Sequence, residues 1–498
     1  MVNGWHLVLC LGLYVFYLTQ KILRSPLRKF PGPLLASWTR WYKGYYDVVK
    51  DGGFLSHLED LHRIYGPVVR TGPNELHFTD PKALDIYSVG SKFTKDPFTY
   101  AAFGQELSSF GTVDPHFSKA RREVLNPLFS RRSILKLENV VQEKVDKLVS
   151  RILSYQGVKP CNMSMAFRSA ALDIITSYCF AQSFDTLDEP DFRHPLPIAI
   201  SSAITVIWTL KYFPFLKFIS DHAPNWLAVW LLPVTKGYFD IFDQLSHYLD
   251  GILANPETLE AAGHETIYHH LLSPNKLHQK IPSKKSLLDE SLTLLGAGSE
   301  TVGSTVTMGV FHVLNNPIVY RKLVQELETS WPDSTVPMTY QALEKLPYLT
   351  SVIKESLRLG HGVVTPIPRV VKPTDVQIAG HNIPVDTIVG LGVTFVHLNP
   401  DLYPEPKRFW PERWNQPNAK ELEMSYLVPF SRGPRMCLGV NLAWCELYLL
   451  FGNIFRKIDM EIHNTSLEDF EFRQHWTPIF RNRPFHAVVR ARSQTTTE

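Results

Sequence analysis

The chain has 498 residues, and its 51 basic and 48 acidic side chains leave a net charge of only +3. That balance, without a basic stripe interleaved with aromatic residues, argues against a nucleic-acid-binding protein. No linker or low-complexity tract divides the sequence, which predicts one large domain. The five cysteines lack CxxC or zinc-type spacing, which argues against a disulfide scaffold or structural zinc site and favours a reducing compartment.

An almost entirely apolar stretch, Trp5 to Ile22, begins the chain. A helix of this length spans about 27 Å, close to the hydrocarbon thickness of an endoplasmic reticulum membrane. Basic residues follow the stretch and none precedes it, so the positive-inside rule places the rest in the cytosol. A cleaved signal peptide is disfavoured, because a charged first region and a cleavage site are missing. We therefore predict a transmembrane anchor over residues 1–25, a proline-rich hinge over 26–33 and the main domain over 34–498.

Helical periodicity dominates the main domain. A short helix, Ser56–Tyr65, precedes a β-hairpin formed by Pro67–Arg70 and Glu75–Phe78. Apolar residues at three- and four-residue spacing predict further helices over Pro115–Leu128, Ile134–Leu153, Met163–Ala181, Trp226–Leu253, Ser286–Leu314, Ile318–Glu328 and Pro347–Leu359. Short strands are predicted at Arg369–Val371, Val376–Ile378, Thr387–Val389 and Phe485–Val489, and irregular coil with packed side chains at Tyr403–Trp414. The predicted fold class is mainly α with a small β subdomain.

The segment with small residues in the longest predicted helix is Ala297-Gly298-Ser299-Glu300-Thr301. Small residues allow a flat cofactor or dioxygen to approach the helix. A threonine that hydrogen-bonds a preceding carbonyl can open the helix locally. The ordinary alternative is a helix with a loosened packing face and a solvated glutamate, and this short pattern alone does not exclude it.

Two further residues, Glu355 and Arg358, are spaced to lie on one helix face. By itself this spacing indicates only a surface ion pair. Arg413, in the later Pro411–Trp414 segment, is the candidate third member of the group.

Ten residues from Phe430 to Gly439 place Cys437 in a glycine-punctuated loop before an apolar helix. Free N–H groups and the positive end of that helix favour a thiolate, which is a soft anionic ligand for iron. Gly433 and Gly439 allow the backbone to turn and to approach a flat partner. Arg435 supplies a cation for an acidic group, and Phe430 shields the sulfur from water. A buried structural cysteine is the alternative for a lone cysteine.

Taken together, these segments resemble the cytochrome P-450 monooxygenases. The cysteine loop matches the family pattern Phe-x-x-Gly-x-Arg-x-Cys-x-Gly at every fixed position, and the other motifs follow the family order. The resemblance implies a cytochrome P-450 fold and haem b, iron protoporphyrin IX, with Cys437 as the axial thiolate. It further implies that Glu300 and Thr301 are catalytic in oxygen activation and proton delivery. Glu355, Arg358 and Arg413 would form a structural core that holds the cysteine loop.

The same resemblance implies arginine partners for the two haem propionates. The candidates are Arg435, Arg369 and Arg122, whereas we expect the neighbouring Arg121 to be solvated. The chain departs from the family four residues before Arg122. Family members usually carry a propionate-binding Trp or His there, and this chain has Ser118, with His116 as a possible substitute.

The implied activity is that of a membrane-anchored haem-thiolate monooxygenase that uses dioxygen and electrons from NADPH through a flavoprotein reductase. Arg131, Arg132, Arg432 and Arg435 would form a basic docking patch for the reductase. Alternatives are a haem-thiolate isomerase or dehydratase that needs no external electrons, and a haem protein that only binds or senses. Segments such as Lys29–Pro33 and His62–Arg70 resemble fungal secondary-metabolism members of the trichodiene oxygenase type, which suggests a hydrophobic terpenoid substrate. A polyketide or alkaloid fits as well. Tyr100–Phe110 and Val206–Phe218 are expected to cover the pocket.

Overall fold

The computed structural model describes residues 23–492 except 89–91, 232, 261–262 and 274–280, and in addition residues 9, 12, 13, 16, 19 and 20. Most of the predicted membrane anchor therefore lies outside the described residues. Within the part that is described, no single helix is long and apolar enough to cross a membrane. One bent pair, Pro190–Tyr212 with Pro214–His222, meets the length and composition criteria together.

The described chain is mainly helical, as the periodicity predicts. In chain order the α-helices are α1 (Leu34–Trp38), α2 (Trp41–Gly44), α3 (Phe54–Tyr65), α4 (Asp85–Ser88), α5 (Pro97–Tyr100), α6 (Pro115–Leu125), α7 (Arg131–Leu153), α8 (Met163–Phe180), α9 (Pro195–Tyr212), α10 (Pro214–His222), α11 (Asn225–Leu231), α12 (Lys236–Ala254), α13 (Ile267–Leu272), α14 (Lys284–Leu314), α15 (Pro317–Ser330), α16 (Tyr340–Leu343), α17 (Pro347–Gly360), α18 (Val393–His397), α19 (Ala419–Ser425) and α20 (Val440–Lys457).

The strands form small sheets at the edge of the helical body. They are β1 (Val68–Gly72), β2 (Glu75–Phe78), β3 (Phe93–Lys95), β4 (Cys161–Asn162), β5 (Arg369–Val371), β6 (Val376–Ile378), β7 (His381–Ile383), β8 (Ile388–Leu391), β9 (Ile458–His463), β10 (Phe472–His475), β11 (Thr477–Phe480) and β12 (His486–Ala491). A five-stranded sheet has the order β1-β2-β8-β5-β3, in which only the β2–β8 pair is parallel. The remaining strands form a β4-β12-β9 sheet and the antiparallel pairs β6-β7 and β10-β11.

The core is built around α14, whose 31 residues span about 46 Å at the helical rise. The helix begins at an N-cap, Ser283, whose side chain accepts from the N–H of Ser286 at 3.3 Å. Helices α8, α12, α17 and α20 pack around it. Close approach depends on glycine, because a Cβ on Gly309 would lie 2.2 Å from the Ser356 hydroxyl and 2.5 Å from the Phe451 ring. Three helices therefore meet at a point where no side chain fits.

The predicted helices and strands are present, but one predicted helix is wrong, and several helices and strands were not predicted, among them α9, α10 and β9. The predicted helix Trp226–Leu253 is divided into α11, a 3₁₀ turn over Pro233–Thr235 and α12. Pro233 starts the turn, because proline has no N–H and clashes inside a helix. Of the helices that were not predicted, α9 carries apolar and aromatic residues on most faces and so shows little periodicity, whereas α10 is only nine residues long.

The predicted hinge is packed against the five-stranded sheet. The N–H of Arg70 on β1 donates to the carbonyl of Pro31 at 2.8 Å. A Cβ on Gly32 would lie 2.4 Å from the Arg70 carbonyl oxygen, so the close approach requires glycine. The end of the predicted hinge, at Pro31 and Gly32, is therefore held against β1.

We expect Gly309→Val to lower the free energy of unfolding by about 1–3 kcal/mol or more, because the added carbons overpack the junction of α14, α17 and α20. The matched control is Gly251→Ala on α12, where a Cβ would meet nothing within 4 Å. Removing a glycine from that helix interior should raise stability by about 0.5–1 kcal/mol. Thermal unfolding followed by circular dichroism measures both, and equal midpoints for the two variants would contradict the packing argument.

Candidate active site

A cavity of about 430 Å³ lies between α14 and the cysteine loop. One wall is a stretch of α14 that includes Gly296, Ala297 and Thr301, and the opposite wall runs from Val428 to Gly439. The loop and helix that sequence motifs singled out separately therefore face each other across one space.

The cysteine loop is closed by its own backbone. The N–H of Cys437 donates to the carbonyl of Phe430 at 2.9 Å, and the N–H of Met436 donates to Gly433 at 3.0 Å. Gly433 has φ +70°, and a Cβ there would lie 2.3 Å from the carbonyl oxygen of Tyr87 on α4. The turn thus requires glycine for its left-handed conformation and for its contact with α4.

The thiol of Cys437 faces the cavity from deep inside the protein. Its accessible surface belongs to the cavity wall, which explains why the side chain is accessible although protein surrounds it. Burial raises the pKa of the thiol above its ordinary value, while the Gly439 N–H and Arg122 act in the opposite direction. The loop N–H and Arg122 thus favour a thiolate as expected, but burial outweighs them. Metal coordination deprotonates such a thiol outright.

The α14 wall places small residues and a hydroxyl at the cavity. Thr301 lines it and donates to the carbonyl of Ala297 at 2.8 Å, which is the back-bond that the sequence predicted. Gly298 also lines the cavity, but a Cβ on it would lie 3.0 Å from Cγ1 of Ile175 on α8. Glycine is thus required there by helix packing as well.

The predicted partner of Thr301, Glu300, is outside the described cavity lining. Its side chain is buried, and its Oε2 lies 3.3 Å from Nε of Arg168 on α8 as an ion pair without an aligned hydrogen bond. The hydroxyl of Ser201 on α9 donates to Oε1. The structure therefore does not bring Glu300 and Thr301 together at the cavity, because neighbouring positions on a helix face different directions.

The three arginines predicted for the propionates all line the cavity. They are Arg122 on α6, Arg369 on β5 and Arg435 in the cysteine loop. Arg435 donates to the carbonyls of Ser109 and Thr112 at 3.1 and 3.2 Å. Within the described residues, none of the three forms an ion pair with a carboxylate.

Acidic residues on the cavity wall do not balance these cations. Asp221 pairs with Lys217 at 2.5 Å, and burial raises the pKa of Glu446 far above its usual range. Burial and then the repulsion of the other two arginines lower the pKa of Arg435 to about 10. The wall carries an excess of buried positive charge, and planar guanidinium groups suit carboxylates. The residues present therefore fit a cofactor that contains a metal able to bind a thiolate and that carries two carboxylates.

The neighbour of Arg122 is not solvated, contrary to prediction. Arg121 is buried and lies 3.3 Å from Glu290 of α14, and it donates to the hydroxyl of Ser286 at 2.7 Å. Glu290 in turn accepts from the N–H of Ser109 at 2.8 Å. Arg121 thus joins α6 to α14 and to the segment that covers the cavity. Of the two adjacent arginines, Arg121 therefore packs between helices and Arg122 lines the cavity.

Neither Ser118, where the usual propionate donor is missing, nor its possible substitute His116 reaches the cavity. The Ser118 hydroxyl is buried and donates to the carbonyl of Ser109 at 3.3 Å. His116 is exposed at the start of α6. Both residues are outside the described lining of the cavity.

A buried ionic cluster joins α17 to the segment before the cysteine loop. Glu355 accepts from Nη2 and Nε of Arg358 at 2.8 and 3.0 Å and from Nε of Arg413 at 3.0 Å. The same carboxylate accepts from the N–H of Trp410 at 2.9 Å and from the Trp414 indole at 3.1 Å. The three predicted charged residues are thus together, and the glutamate is fully paired.

A histidine that sequence reasoning left without a role continues this cluster toward the cysteine loop. His397 is buried, and its Nδ1 lies 3.0 Å from the Arg358 carbonyl. The N–H of Val428 donates to its Nε2 at 3.0 Å. Burial, followed by the charges of His361 and Arg358, holds the pKa of His397 well below its usual range, so the ring is neutral. A lone histidine in sequence carries no signal for such a bridge.

The predicted basic docking patch is only partly on the surface. Arg131 and Arg132 are exposed, and Arg131 lies 2.5 Å from Glu344. Arg432 donates to the carbonyl of Met424 at 3.1 Å. Arg435 points to carbonyls beside the cavity. The exposed part of the predicted patch is therefore reduced mainly to Arg131 and Arg132.

The upper cavity wall is aromatic. Both predicted segments, Tyr100–Phe110 and Val206–Phe218, contribute lining residues. Ring centroids of Phe103 lie 4.9 Å from Trp476 and 5.2 Å from Phe110, and those of Phe110 and Trp476 lie 5.7 Å apart. Such edge-to-face packing makes a rigid apolar surface for a ligand.

The sequence comparisons agree with this geometry. The cytochrome P-450 family model matches residues 31–484. A cytochrome P-450 monooxygenase of Ascocoryne sarcoides is 34% identical over 487 residues, covering 94% of this chain and 93% of that protein. Tryptophan 6-hydroxylase of Fusarium equiseti is 34% identical and covers 91% and 89%, respectively. Conidiogenone synthase of Penicillium rubens is 36% identical and covers 93% and 94%.

We expect Glu355→Gln to destabilise the protein by about 3–5 kcal/mol and to abolish cofactor retention, because two buried guanidinium groups lose their counter-charge. The control is Asp60→Asn. Asp60 also pairs with an arginine three residues away, at 2.7 Å, but its side chain is 54% exposed. That change should cost less than about 0.5 kcal/mol. Cofactor content and thermal unfolding measure the difference, and similar losses in both variants would refute the buried-cluster argument.

Proposed function

The chain belongs to the cytochrome P-450 family of haem-thiolate monooxygenases, and on that premise we propose that it oxidises a hydrophobic intermediate of fungal secondary metabolism, of terpenoid type, by hydroxylation or epoxidation. The observation that carries the proposal is one cavity with a cysteine thiol on one wall and a threonine hydroxyl on the other, lined by three arginines that have no carboxylate partner among the described residues. This arrangement fits haem b, and the substrate would lie beside Thr301.

The proposed cofactor contacts follow from the cavity wall. Cys437 is the iron ligand, and Phe430 and the glycines Gly433 and Gly439 form the loop around its sulfur. Arg122, Arg369 and Arg435 hold the propionates. Haem bound through a thiolate supplies the activation of dioxygen.

The two catalytic candidates have different roles in this proposal. Thr301 lies at the cavity, so its hydroxyl can hold a proton or water next to the reacting oxygen. Glu300 is held by Arg168 and Ser201 on the other side of α14. We propose that it delivers protons only when its carboxylate leaves these partners. Until then it acts as a positioning residue that ties α14 to α8 and α9.

The terpenoid proposal rests on the apolar and aromatic cavity wall. Conidiogenone synthase is among the relatives, but so are tryptophan 6-hydroxylase and N-acetyltryptophan 6-hydroxylase. The edge-to-face surface of Phe103, Phe110 and Trp476 suits an indole ring or another alkaloid or polyketide scaffold as well. These scaffolds are therefore the second candidate substrates.

A non-oxidative isomerase or dehydratase remains the alternative reaction. Such chemistry rearranges a peroxide or removes water without external electrons or proton delivery. The hydroxyl of Thr301 at the cavity supports oxygen activation instead. Electrons for that reaction come from NADPH through a flavoprotein reductase, and we propose that Arg131 and Arg132 contribute to its docking site.

We further propose that the protein is bound to the endoplasmic reticulum membrane by its N-terminal segment and by an aromatic patch. The patch consists of Phe215 and Phe218 on α10 and Trp226 and Trp230 on α11, all strongly exposed. Trp41 adjoins it, because its ring lies 5.2 Å from that of Phe213. Exposed tryptophan and phenylalanine side chains on consecutive helices are typical of a surface that enters the membrane interface.

The test of the proposed function uses the complete haem-loaded protein. Reduced and exposed to carbon monoxide, it should show the red-shifted band of a thiolate-bound haem, and Cys437→Ser should remove that band. With a matched reductase, NADPH and candidate terpenes, it should consume dioxygen and form an oxidised product. Absence of the band in the unaltered protein refutes the haem-thiolate assignment. Turnover of a hydroperoxide without NADPH would favour the isomerase instead.

We expect Thr301→Val to reduce the product formed per NADPH by about tenfold or more, because the hydroxyl at the cavity is lost while shape is kept. Thr307→Val is the control. Its hydroxyl makes the same kind of back-bond, to Gly303 at 2.6 Å, but the residue is outside the described cavity lining. NADPH consumption, peroxide release and product are measured together, and equal coupling in the two variants would contradict the role of Thr301.

In a chain without residues 2–22, we expect the double change Trp226→Ser and Trp230→Ser to weaken vesicle binding by about tenfold or more, since two exposed apolar rings are lost. The control is the double change Ile64→Ser and Val158→Ser. These residues are similarly exposed, at 71% and 74%, but lie on α3 and after α7. Co-sedimentation with vesicles gives the affinities. If both double variants bind alike, the patch is not the membrane contact.

A further inference from the structure

Lys95 is a buried cation in the cavity that no sequence motif singled out. It ends β3, is 5% exposed and lines the cavity beside the three arginines. Its Nζ donates to the carbonyl of Phe110 and lies 4.1 and 4.4 Å from the ring centroids of Tyr100 and Phe110. The side chain thus holds its ammonium group at the cavity wall rather than in solvent.

The sheet register places Lys95 directly opposite Arg369 on β5. Like charges that face each other across an antiparallel pair destabilise it, and both side chains are buried here. Within the described part of the chain, the guanidinium of Arg369 donates to the Tyr100 hydroxyl at 3.3 Å and to the Pro368 carbonyl at 3.2 Å, and both acceptors are neutral. This pair therefore needs an anion between or beside its members.

The nearest carboxylate in sequence cannot serve as that anion. Asp96 follows Lys95, but its oxygens cap α5 by accepting from the N–H groups of Phe98 and Thr99 at 3.3 and 3.1 Å. Within the described residues, Lys95 forms no ion pair with any carboxylate. Burial, and then repulsion by the three cavity arginines, holds the pKa of Lys95 well below its usual range. An anionic occupant of the cavity would act in the opposite direction and favour the charged form.

Within the described residues Lys95 has no anionic partner, and at Ser118 the chain lacks the usual propionate donor. One hydrogen bond from Lys95 to a propionate would supply both. The family position that binds a propionate is Ser118 here, and its hydroxyl is already used by the Ser109 carbonyl. His116 is exposed. We propose that Nζ of Lys95 donates to a haem propionate and replaces the donor absent at Ser118. The inference rests on the haem-thiolate function proposed above, and it makes four cations available for two carboxylates.

The test compares haem-loaded Lys95→Met, Lys95→Arg and, as a control, Lys119→Met. Lys119 is on α6 with a side chain that is 78% exposed. We expect Lys95→Met to transfer haem to an apomyoglobin acceptor about tenfold faster, since one charge-assisted hydrogen bond is lost. The propionate bending bands in its resonance Raman spectrum should shift. Lys95→Arg should retain haem within about threefold, and Lys119→Met should match the unaltered protein.

The carbon monoxide band separates this proposal from the assignment of the thiolate ligand. Lys95→Met should keep the red-shifted band, because Cys437 is untouched. Unshifted propionate bands with haem transfer within twofold of the unaltered protein would overturn the proposal. Equally fast loss of haem from Lys95→Arg and Lys95→Met would also overturn it, because that result indicates that Lys95 has a packing role. If Lys95→Met does not fold, Lys95→Gln keeps a neutral donor for Phe110, and the same shift in propionate bands is expected.

Discussion

The balance of buried charge is the constraint on which the site depends. Where charges are matched within the chain, as at Glu355 with Arg358 and Arg413, the result is a fixed junction between α17 and the segment before the cysteine loop. Around the cavity the charges are not matched, because Arg435 and the buried Lys95 donate to neutral carbonyls. An unpaired buried charge costs several kcal/mol, so the cavity is stable only to the extent that an anionic cofactor completes it. On the proposed function, haem binding and the ordering of the 109–112 segment are therefore coupled, since those carbonyls are the substitutes that Arg435 and Lys95 use.

Helix α14 divides its chemistry between two sides. Thr301 and the small residues face the cavity, whereas Glu300 faces α8 and α9, where Arg168 and Ser201 hold it. A contiguous sequence motif therefore does not mean a contiguous site. The ion pair with Arg168 holds the Glu300 carboxylate away from the cavity. Release of the carboxylate from this pair, rather than its place next to Thr301 in the sequence, would control proton delivery. Gly303 supports this packing, because a Cβ there would lie 2.7 Å from the Arg168 side chain.

The elements with strong local signals were predictable. The cysteine loop, the Glu355 cluster and helices such as α7 and α17 follow from motifs or periodicity, and their bounds differ from prediction by a few residues at most. What failed depended on three-dimensional partners. Arg121 and Arg122 are adjacent and chemically identical, yet one reaches Glu290 and the other the cavity. Lys95 became visible only through the β3–β5 register, which joins positions far apart in sequence. The membrane helix predicted over residues 1–25 remains a prediction.

Helix α10 links the two proposals that concern the substrate. It carries Phe215 and Phe218 outward, and from its other side Lys217 and Asp221 contribute to the cavity wall. The helix is short and is bent by 118° from the helical segment before it. If the aromatic patch enters the membrane interface as proposed, α10 carries both part of the membrane contact and part of the cavity wall. A hydrophobic substrate dissolved in the bilayer would then be concentrated next to this part of the wall. Water-soluble compounds would then be excluded before they reach Phe103 or Trp476. The residues that line the cavity would only orient the substrate.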